Sequence, residues 1–378
     1  MPSYLIAPDS FKGSISAAFF CQIVQQAILQ KQPDATVLTR PLSDGGEGFI
    51  DAFVQAELAK EQTLWCAGPL GRKVKAKWAW IADSNTAIIE MAQASGLTRL
   101  RPEDRNPLQT HTTGTGHLIQ AAIKKGAHTI ILGLGGSATN EGGVGALKAL
   151  GIPFLNAQNK EIGLGGQALQ TLTHIGDVPP KLLNIKWVLA CDVTNPLLGE
   201  QGATQIFGAQ KGMTAQSAPI LEKGLENLAN LMADKTGHAI QDQAGSGAAG
   251  GMAAGFMELL NAQMYSGFEV LNTHLNLDLL FEQHTIDYLI TGEGKIDQQT
   301  AFGKLPQRIA QLAKQHNPHC KTIGLCGQLD TTLAHLPEFD ALFSILPKPM
   351  AEYHAMQQTP ELLKHTTQSI LNLLTKQS

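Results

Sequence analysis

Both ends of the chain repeat one local pattern, in which a short apolar run is followed by a polar, glycine-bearing loop and then by apolar residues at helical spacing. Near the start, SYLIAP predicts a strand over 3–8, and the residues after it predict a helix with Ser14 or Ser16 as its N-cap. A second strand is predicted over 35–40 and a second helix over 49–60. Strands that alternate with helices favour a mostly parallel sheet covered by helices on both faces.

The same pattern returns in the last quarter of the chain. There DYLITGEGKID predicts a strand and a loop, KLPQRIAQLAKQ a helix, CKTIGLCG and FDALFSIL two strands, and ELLKHTTQSILNLL a closing helix. Near Gly71 the sequence pattern changes. Apolar residues alternate with polar or small ones in VKAKWAW, which leads through a DSN turn into TAIIEMA, as is typical of an antiparallel hairpin. We therefore predict an α/β protein with one domain made of 1–70 plus 286–378, and a second domain, 71–285, inserted into it.

Glycine-rich loops dominate the middle segment. A helix is predicted from Gly114 to about Lys125, then a strand in HTIILGL, the loop GGSATNEGG and an apolar pattern that ends at Gly151. Further on, KWVLAC predicts a strand that enters a loop at Asp192. The stretch AGSGAAGGMAAG predicts a loop packed tightly against another part of the chain.

Composition excludes several classes of protein. With 378 residues, 43% of them hydrophobic, the chain is large enough for more than one core. A net charge of -4 without a dense cluster of lysine and arginine argues against a nucleic-acid partner. The start lacks the features of a signal peptide, and no window approaches the roughly 20 apolar residues of a membrane span. We therefore expect a cytoplasmic protein without a membrane partner, whose five cysteines are isolated thiols.

Five of the polar loops follow predicted strands: DSFKGS, SDGGEG, GGSATNEGG, DVTNP and TGEGKID. In open α/β sheets, such loops gather at the carboxyl ends of the strands, where ligands bind. The glycines of GGSATNEGG allow a close approach of the backbone to a ligand, and a helix that begins after them favours an anion such as phosphate. The loop matches neither GxxxxGK[ST] nor GxGxxG, so a tight strand-to-helix turn is the alternative.

Acidic and basic residues stand beside these glycines. The acidic ones are Asp44, Glu47, Asp192, Glu293 and Asp297. Their carboxylates are suited to holding Mg²⁺ or to accepting a proton from a hydroxyl, with helix capping as the alternative, above all for Glu47 and Asp297. The functional interpretation is strongest for Asp192, which directly follows the apolar run WVLAC. Lys12 and Lys295 add positive charge for a phosphate or a carboxylate, unless they are only solvated side chains.

Together these motifs resemble those of the bacterial glycerate kinase type-1 family. In chain order they are IAPDSFKGS, DGGEG, GPLGR, IEMAQASGL, NPLQTHTTGTG, GLGGSATNEGG, ACDVTNPLLG, FGAQKG, and TGEGKID followed by QT and GK. The resemblance spans essentially the whole chain. It implies a Rossmann-like domain made from both chain ends, a mixed α/β domain inserted between them, and an active site in the cleft.

The resemblance also implies ATP-dependent phosphorylation of D-glycerate with Mg²⁺, at the 2-hydroxyl, to give 2-phosphoglycerate. Two positions depart from the family pattern, since Glu141 stands where Asp is expected and Lys295 where Arg is frequent. Glu141 keeps the charge on a longer arm, which puts its direct contact with a metal or ligand in question.

Within this resemblance we assign roles as hypotheses. Asp192 is the general base or orients the hydroxyl, and Lys12 neutralises the transferring phosphate or the glycerate carboxylate. Glu293 and Asp297 are the candidate metal ligands. The candidate substrate- or phosphate-binding residues are Ser14, Asp44, Gly45, Gly46, Glu47, Gly135, Gly136, Ser137, Asn140, Asn195, Gly292 and Lys295. Which loop meets ATP and which meets glycerate is left open.

Several alternatives stay open. The product of the same reaction is the 3-phosphate if the other hydroxyl reacts. A protein that binds a hydroxy acid without turnover is a rival from another class. An NAD-dependent oxidoreductase is disfavoured, because the first loop, DSFKGS, lacks GxGxxG. A homodimer is an option for which the sequence offers no specific support.

Overall fold

The computed structural model describes residues 1–297, 304–330 and 336–375. The chain forms two compact units: the first unit is Met1–Leu58 with Gly267–Ser378, and the second unit is Ala59–Ser266. The predicted α/β class is confirmed, with a parallel sheet built from both chain ends and a mixed sheet between them. In the motif QT…GK, Gln299, Thr300 and Gly303 lie outside the described residues.

The N-terminal part of the first unit follows the predicted order of elements. Its elements are β1 (Ser3–Ile6), α1 (Ala17–Lys31), β2 (Thr36–Thr39) and α2 (Phe49–Gln55). Ser16 is the N-cap of α1, since its Oγ accepts a hydrogen bond from the amide of Phe19 at 3.2 Å. The helix α2 ends before its predicted limit at residue 60, because residue 60 already belongs to the next strand.

The second unit contains most of the shorter elements. They are β3 (Lys60–Ala67), β4 (Lys73–Ile81), β5 (Thr86–Glu90), α3 (Ala92–Ser95), α4 (Thr113–Lys125), β6 (Thr129–Gly133), α5 (Val144–Ala149), β7 (Phe154–Leu155), β8 (His174–Ile175), α6 (Pro180–Leu183), β9 (Lys186–Ala190), α7 (Ala203–Phe207), α8 (Ala218–Thr236), α9 (Ala248–Leu260) and β10 (Gln263–Tyr265). Its main sheet has the order β10-β9-β6-β5-β4-β3. The strands β10, β9, β6 and β5 are parallel neighbours, and β4 and β3 continue the sheet in antiparallel pairs. The predicted hairpin is thus confirmed as β4 and β5.

The glycine-rich stretch over 244–255 is only partly a loop. Positive φ angles at Ala249, Gly250 and Gly251 interrupt α9, after which the helix runs to its end. The prediction of a loop is therefore wrong for the last residues of the stretch, whose apolar side chains are buried in the core. Close packing is confirmed, because a Cβ at Gly250 would overlap the carbonyl oxygen of Thr139.

The C-terminal part of the first unit completes its sheet. Its elements are α10 (Gly267–Leu275), α11 (Leu277–Gln283), β11 (Tyr288–Ile296), α12 (Leu305–His316), β12 (Lys321–Leu329), β13 (Ala341–Ser344) and α13 (Glu352–Thr375). The order β13-β12-β11-β1-β2 is parallel throughout, so β1 lies between a strand from each end of the chain. The predicted loop TGEGKID is wrong up to Ile296, because β11 stays paired with β12 through Glu293 and Lys295.

The limits of the two units differ from the domain limits expected from the sequence. The strand β3 precedes Gly71, but it pairs along its whole length with β4 and so belongs to the second unit. Domain limits of 1–70 plus 286–378 and 71–285 stay a prediction. Within the described ranges, none of the helices is both long enough and apolar enough to cross a bilayer.

Candidate functional site

A pocket of about 660 Å³ opens in the first unit at the carboxyl ends of its strands. The loop after β1 contributes Asp9 and Lys12, the end of β11 contributes Glu293, the end of β12 contributes Gly327, and Ile345 follows β13. Loops and strand ends that are far apart in the sequence therefore line one space. This is the edge of a parallel sheet at which ligands bind in α/β proteins.

Lys12 and Asp44 form an ion pair beside this pocket, with 2.5 Å between Lys12 Nζ and Asp44 Oδ2. The other oxygen of Asp44 accepts a hydrogen bond from the amide of Gly46. Burial alone would raise the pKa of Asp44, but the charge and hydrogen bond of Lys12 hold it below its usual value. Burial would likewise lower the pKa of Lys12, but Asp44 and Asp9 together raise it. Both groups are therefore charged at neutral pH.

Asp9 and Ser10 lie deeper in the same pocket. Asp9 is buried, and burial, followed by the charge of Asp44, raises its pKa well above the usual range. Its Oδ1 accepts a hydrogen bond from the amide of Ser10 at 2.7 Å. The buried hydroxyl of Ser10 has no hydrogen-bond partner among the described residues. The pocket thus contains a buried carboxyl group with a raised pKa and a hydroxyl that can donate a hydrogen bond to a ligand.

The two candidate metal ligands share a cation. Lys304 Nζ lies 3.5 Å from Glu293 Oε2 and 3.9 Å from Asp297 Oδ1, and Lys295 Nζ lies 3.3 Å from Asp297 Oδ2. In the described part of the chain, no three His, Cys, Asp or Glu residues are grouped around one metal position. Mg²⁺ in kinases needs only one or two carboxylates, with phosphate oxygens and waters as its other ligands. The donor set around Lys304 therefore fits Mg²⁺.

Other residues predicted for this site have structural partners. Ser14 Oγ lies 2.8 Å from both the carbonyl oxygen of Met356 and Oγ1 of Thr359, so it holds the start of α13. Gly292 lies inside β11, where a Cβ would overlap the next strand, and it does not line the pocket. Glu47 is exposed, and it is not one of the described residues that line the pocket.

The loop containing Asp44 makes a tight turn before α2. Gly45 has a φ of +92°, a left-handed conformation that favours glycine. The Gly46 amide bonds to the Asp44 side chain, so it supports the turn. The contribution of these two glycines is therefore to place the Asp44 carboxylate.

In the second unit, Asp192 and the glycine loop leave adjacent strands. Gly133 at the end of β6 is paired with Ala190 at the end of β9. Gly135 and Asp192 each stand two residues beyond that pair, at the same edge of the sheet. The Asp192 side chain is exposed. The two predicted features therefore emerge side by side.

The start of the glycine loop presents backbone donors. In the described ranges, no backbone carbonyl accepts a hydrogen bond from the amide of Gly135 or Gly136, whereas the Gly136 carbonyl accepts one from the amide of Leu97 at 2.9 Å. Gly136 has a φ of +73°, and Ser137 beyond it is buried. This geometry supports the interpretation of the loop as an anion cradle.

The helix α5, which follows the loop, does not offer free amides in the way that the sequence suggested. Glu141 Oε1 accepts hydrogen bonds from the amide and hydroxyl of Thr112 and from the amide of Gly145, and its Oε2 accepts one from the amide of Gly165. Burial raises the pKa of Glu141 despite these donors. The longer arm of Glu141 thus caps a helix inside the unit and is not placed at a ligand.

Asn140 and Asn195 are also held by the protein. Asn140 is fully buried and donates to Thr204 Oγ1 at 3.3 Å. Asn195 donates from Nδ2 to the carbonyl of Gln201 at 2.8 Å, which closes the loop after β9. Their observed contacts support the loops on which Asp192 and the glycines stand.

Four residues of the candidate sites escaped the sequence analysis. Asp9, Ser10 and Lys304 line the pocket, and Lys211 is a buried lysine of the FGAQKG motif whose Nζ donates to the carbonyl of Thr139 at 2.8 Å. Asp9 follows β1 as Asp192 follows β9, so the same argument from position would have found it. Burial of a lysine carries no local signal in the sequence.

Comparison with known proteins agrees with these observations. A model described as the glycerate kinase family matches residues 4–375. The glycerate 2-kinase of Escherichia coli (strain K12) is 43% identical over 348 residues, 90% of each chain. The glycerate kinase of Haemophilus influenzae (strain Rd) is 40% identical over 98% of this chain and 96% of its own. A crystal structure named as that of a "putative glycerate kinase 2" from Salmonella typhimurium LT2 has a TM-score of 0.83 at 38% identity, over 99% of this chain and 98% of that one.

Proposed function

Because the chain belongs to the glycerate kinase family and is thus an enzyme that phosphorylates glycerate, we propose that it transfers the terminal phosphoryl group of ATP to the 2-hydroxyl of D-glycerate. The product is 2-phosphoglycerate. The name of the Escherichia coli relative, glycerate 2-kinase, supports the choice of hydroxyl. The observation that carries the proposal is the alternation of lysines and carboxylates around the pocket of the first unit.

Phosphoryl transfer needs little covalent help from the protein, because positioning and neutralisation of charge provide most of the catalysis. Lys12 and Lys304 line the pocket and can meet phosphate oxygens, with Lys304 in contact with Glu293 of the same pocket and Lys12 in contact with Asp44 beside it. Glu293 and Asp297 would hold Mg²⁺. When bound, Mg²⁺ neutralises charge on the phosphate oxygens.

The hydroxyl that attacks needs a group to accept or orient its proton. We assign this role to Asp192, which is exposed at the carboxyl end of β9. The amides of Gly135, Gly136 and Ser137 would cradle a phosphate or carboxylate beside it. Asn195 and Asn140 support this arrangement through the loop contacts described above.

Phosphorus NMR tests the proposal directly. The protein is incubated with ATP, Mg²⁺ and D-glycerate, and coupling of the new phosphomonoester to its neighbouring carbon-bound protons is measured. Coupling to one proton is expected and identifies the 2-phosphate, whereas coupling to two protons identifies the 3-phosphate and overturns the assignment of the hydroxyl. Binding of glycerate without any ester would instead support a protein that binds the acid without turnover.

A further inference from the structure

The pocket of the first unit has two chemically different ends. Its polar end contains Lys12 and Lys304 together with Asp9, Glu293 and Asp297, and the Asp44 partner of Lys12 lies beside it. Its apolar end is a wall formed by Ile345 and Leu346 after β13, by Met350, and by Ala355 and Met356 in the first turns of α13. We call these five residues the apolar wall.

We propose that this pocket is the nucleotide site, with the purine base of ATP against the apolar wall and the triphosphate extending toward Lys12 and Lys304. The assignment rests on the proposed ATP-dependent function. It answers which of the two substrates this pocket receives.

The size of the pocket favours the larger substrate. A volume of about 660 Å³ lies within the range of about 300–1,000 Å³ that is usual for small-molecule and cofactor sites. A three-carbon acid would leave most of this space unfilled, and it has no apolar part to place against the wall. A nucleoside triphosphate has both a flat, weakly polar ring and a polyanionic chain.

The apolar wall is partly exposed and can be covered by a ligand. Met356 is a large apolar side chain that is 36% exposed, and it lines the pocket. Methionine side chains adapt their shape and pack well against aromatic rings. Covering this surface with a base removes apolar area from water, which is favourable.

The polar end offers complementary groups for phosphate. The Ser10 hydroxyl is buried, lines the pocket and has no partner in the described ranges, so it can donate to a phosphate oxygen. Lys12 remains protonated, because the surrounding carboxylates raise its pKa. An unused donor and a fixed positive charge therefore face the same space.

Ser14 joins the two ends of the pocket. It belongs to the loop after β1, which also carries Ser10 and Lys12, and its hydroxyl contacts the backbone of Met356 in α13. The wall and the phosphate-binding loop are thereby held in one arrangement. Ser14 is on this argument a positioning residue, acting through the loop and the helix.

The test enlarges one small residue of the apolar wall. Ala355→Phe places a ring in the part of the pocket assigned to the base, whereas Gln358→Phe puts the same ring on an exposed position of α13 as a matched control. Binding of Mg·ATP and of Mg·tripolyphosphate is measured by calorimetry for the full-length proteins. Ala355→Phe is expected to weaken ATP binding at least about tenfold and to leave tripolyphosphate binding unchanged, with Gln358→Phe like wild type. Unchanged ATP binding in Ala355→Phe would overturn the assignment.

Photolabelling of the wild-type protein with 8-azido-ATP gives an independent readout that does not depend on the variant folding. Peptide mapping is expected to place the adduct within 345–359, and adducts confined to 59–266 would overturn the proposal. If the wild type forms the glycerate ester while the label lies in the second unit, the proposed function stands and the assignment of the pocket fails. If no ester forms but the label and Ala355→Phe behave as expected, the nucleotide site stands and the proposed function fails.

Discussion

Lys211 shows what burial does to a single charged residue. Its side chain is 2% exposed, and its Nζ donates to the neutral carbonyl of Thr139. Because burial disfavours the charged amine, the pKa of Lys211 falls to about 7. Burial is the cause of this shift, to which no charged group of the described residues contributes, and nearby Arg105 donates to the carbonyl of Gln210. The lysine thus titrates within the range in which most enzymes work.

We predict that this titration makes stability depend on pH. The pKa of Lys211 is about 7 in the folded chain and about 10.4 in an unfolded chain, so the unfolded state binds more protons between these values. Stability should therefore rise with pH in that window, by up to about 1.4 kcal/mol per pH unit. Urea denaturation of wild type and Lys211→Met across this window measures the effect.

The difference between the two proteins isolates the residue, because other titrating groups are common to both. The free energy of unfolding of Lys211→Met should exceed that of wild type most near pH 7, and the difference should shrink as the pH rises. The exposed Lys186→Met is the control for removing a lysine charge from the second unit. A pH-independent difference between Lys211→Met and wild type would contradict the prediction.

Asp192 gives a second prediction at this scale. If its carboxylate accepts or orients the proton of the glycerate hydroxyl, Asp192→Asn should lower kcat by about 10²–10⁴-fold with a smaller change in the KM for ATP. Steady-state kinetics with each substrate varied in turn measures both quantities. Asp83→Asn, at an exposed turn, is the control and should behave like wild type. Full turnover in Asp192→Asn would remove the residue from its role.

At the scale of elements, the local sequence was sufficient to predict those helices and strands whose limits are set by residues close in sequence. The Ser16 cap begins α1, and alternation with a short turn defines β4 and β5. The local sequence was insufficient where distant residues decide. The strand β11 continues through its glycines because β12 pairs with it, and α2 ends at Gln55, before the left-handed Glu57 and the start of β3 at Lys60.

The interruption of α9 leads to a prediction about one glycine. Gly250 has a φ of +67°, and a Cβ there would also overlap the Thr139 carbonyl. Gly237, which ends α8, has a φ of +81°, and its Cβ would have no described atom nearby. Gly237→Ala should lower the free energy of unfolding by about 1–2 kcal/mol, because alanine disfavours the left-handed conformation. Gly250→Ala should lower it by about 1–3 kcal/mol more, because its Cβ also overlaps the Thr139 carbonyl. Equal losses in urea denaturation would contradict this account.

At the scale of the whole molecule, the sequence predicted which loops lie at the carboxyl ends of strands better than it predicted the contacts of their side chains. Position after a strand singled out Lys12, Asp192 and the glycines, because the ends of parallel strands are where ligands bind. Position did not reveal that Ser14 and Glu141 are engaged by distant segments. Folding brings these partners together from distant parts of the sequence, so the spacing of residues within a motif does not predict them.

The two units should differ in their ability to fold as fragments. The second unit is continuous and has its own core, with buried residues from Cys66 to Ala262. A fragment over 59–266 is expected to unfold cooperatively in urea and to give a dispersed NMR spectrum. A fragment over 1–58 should do neither, because β1 then lacks β11. A fragment over 59–266 without a cooperative transition would contradict the prediction.

The central position of β1 has a consequence for synthesis on the ribosome. Tyr4 in β1 pairs with Val37 on one side and with Tyr288 on the other, and the two tyrosine rings stack with 4.9 Å between their centroids. Translation supplies the first neighbour almost at once and the second only after the entire insertion has been made. The insertion can therefore finish folding while β1 still has one open edge, and open strand edges attract other strands. A nascent chain that stalls after the second unit and before Tyr288 would carry a completed second unit and a β1 strand with one edge exposed to aggregation.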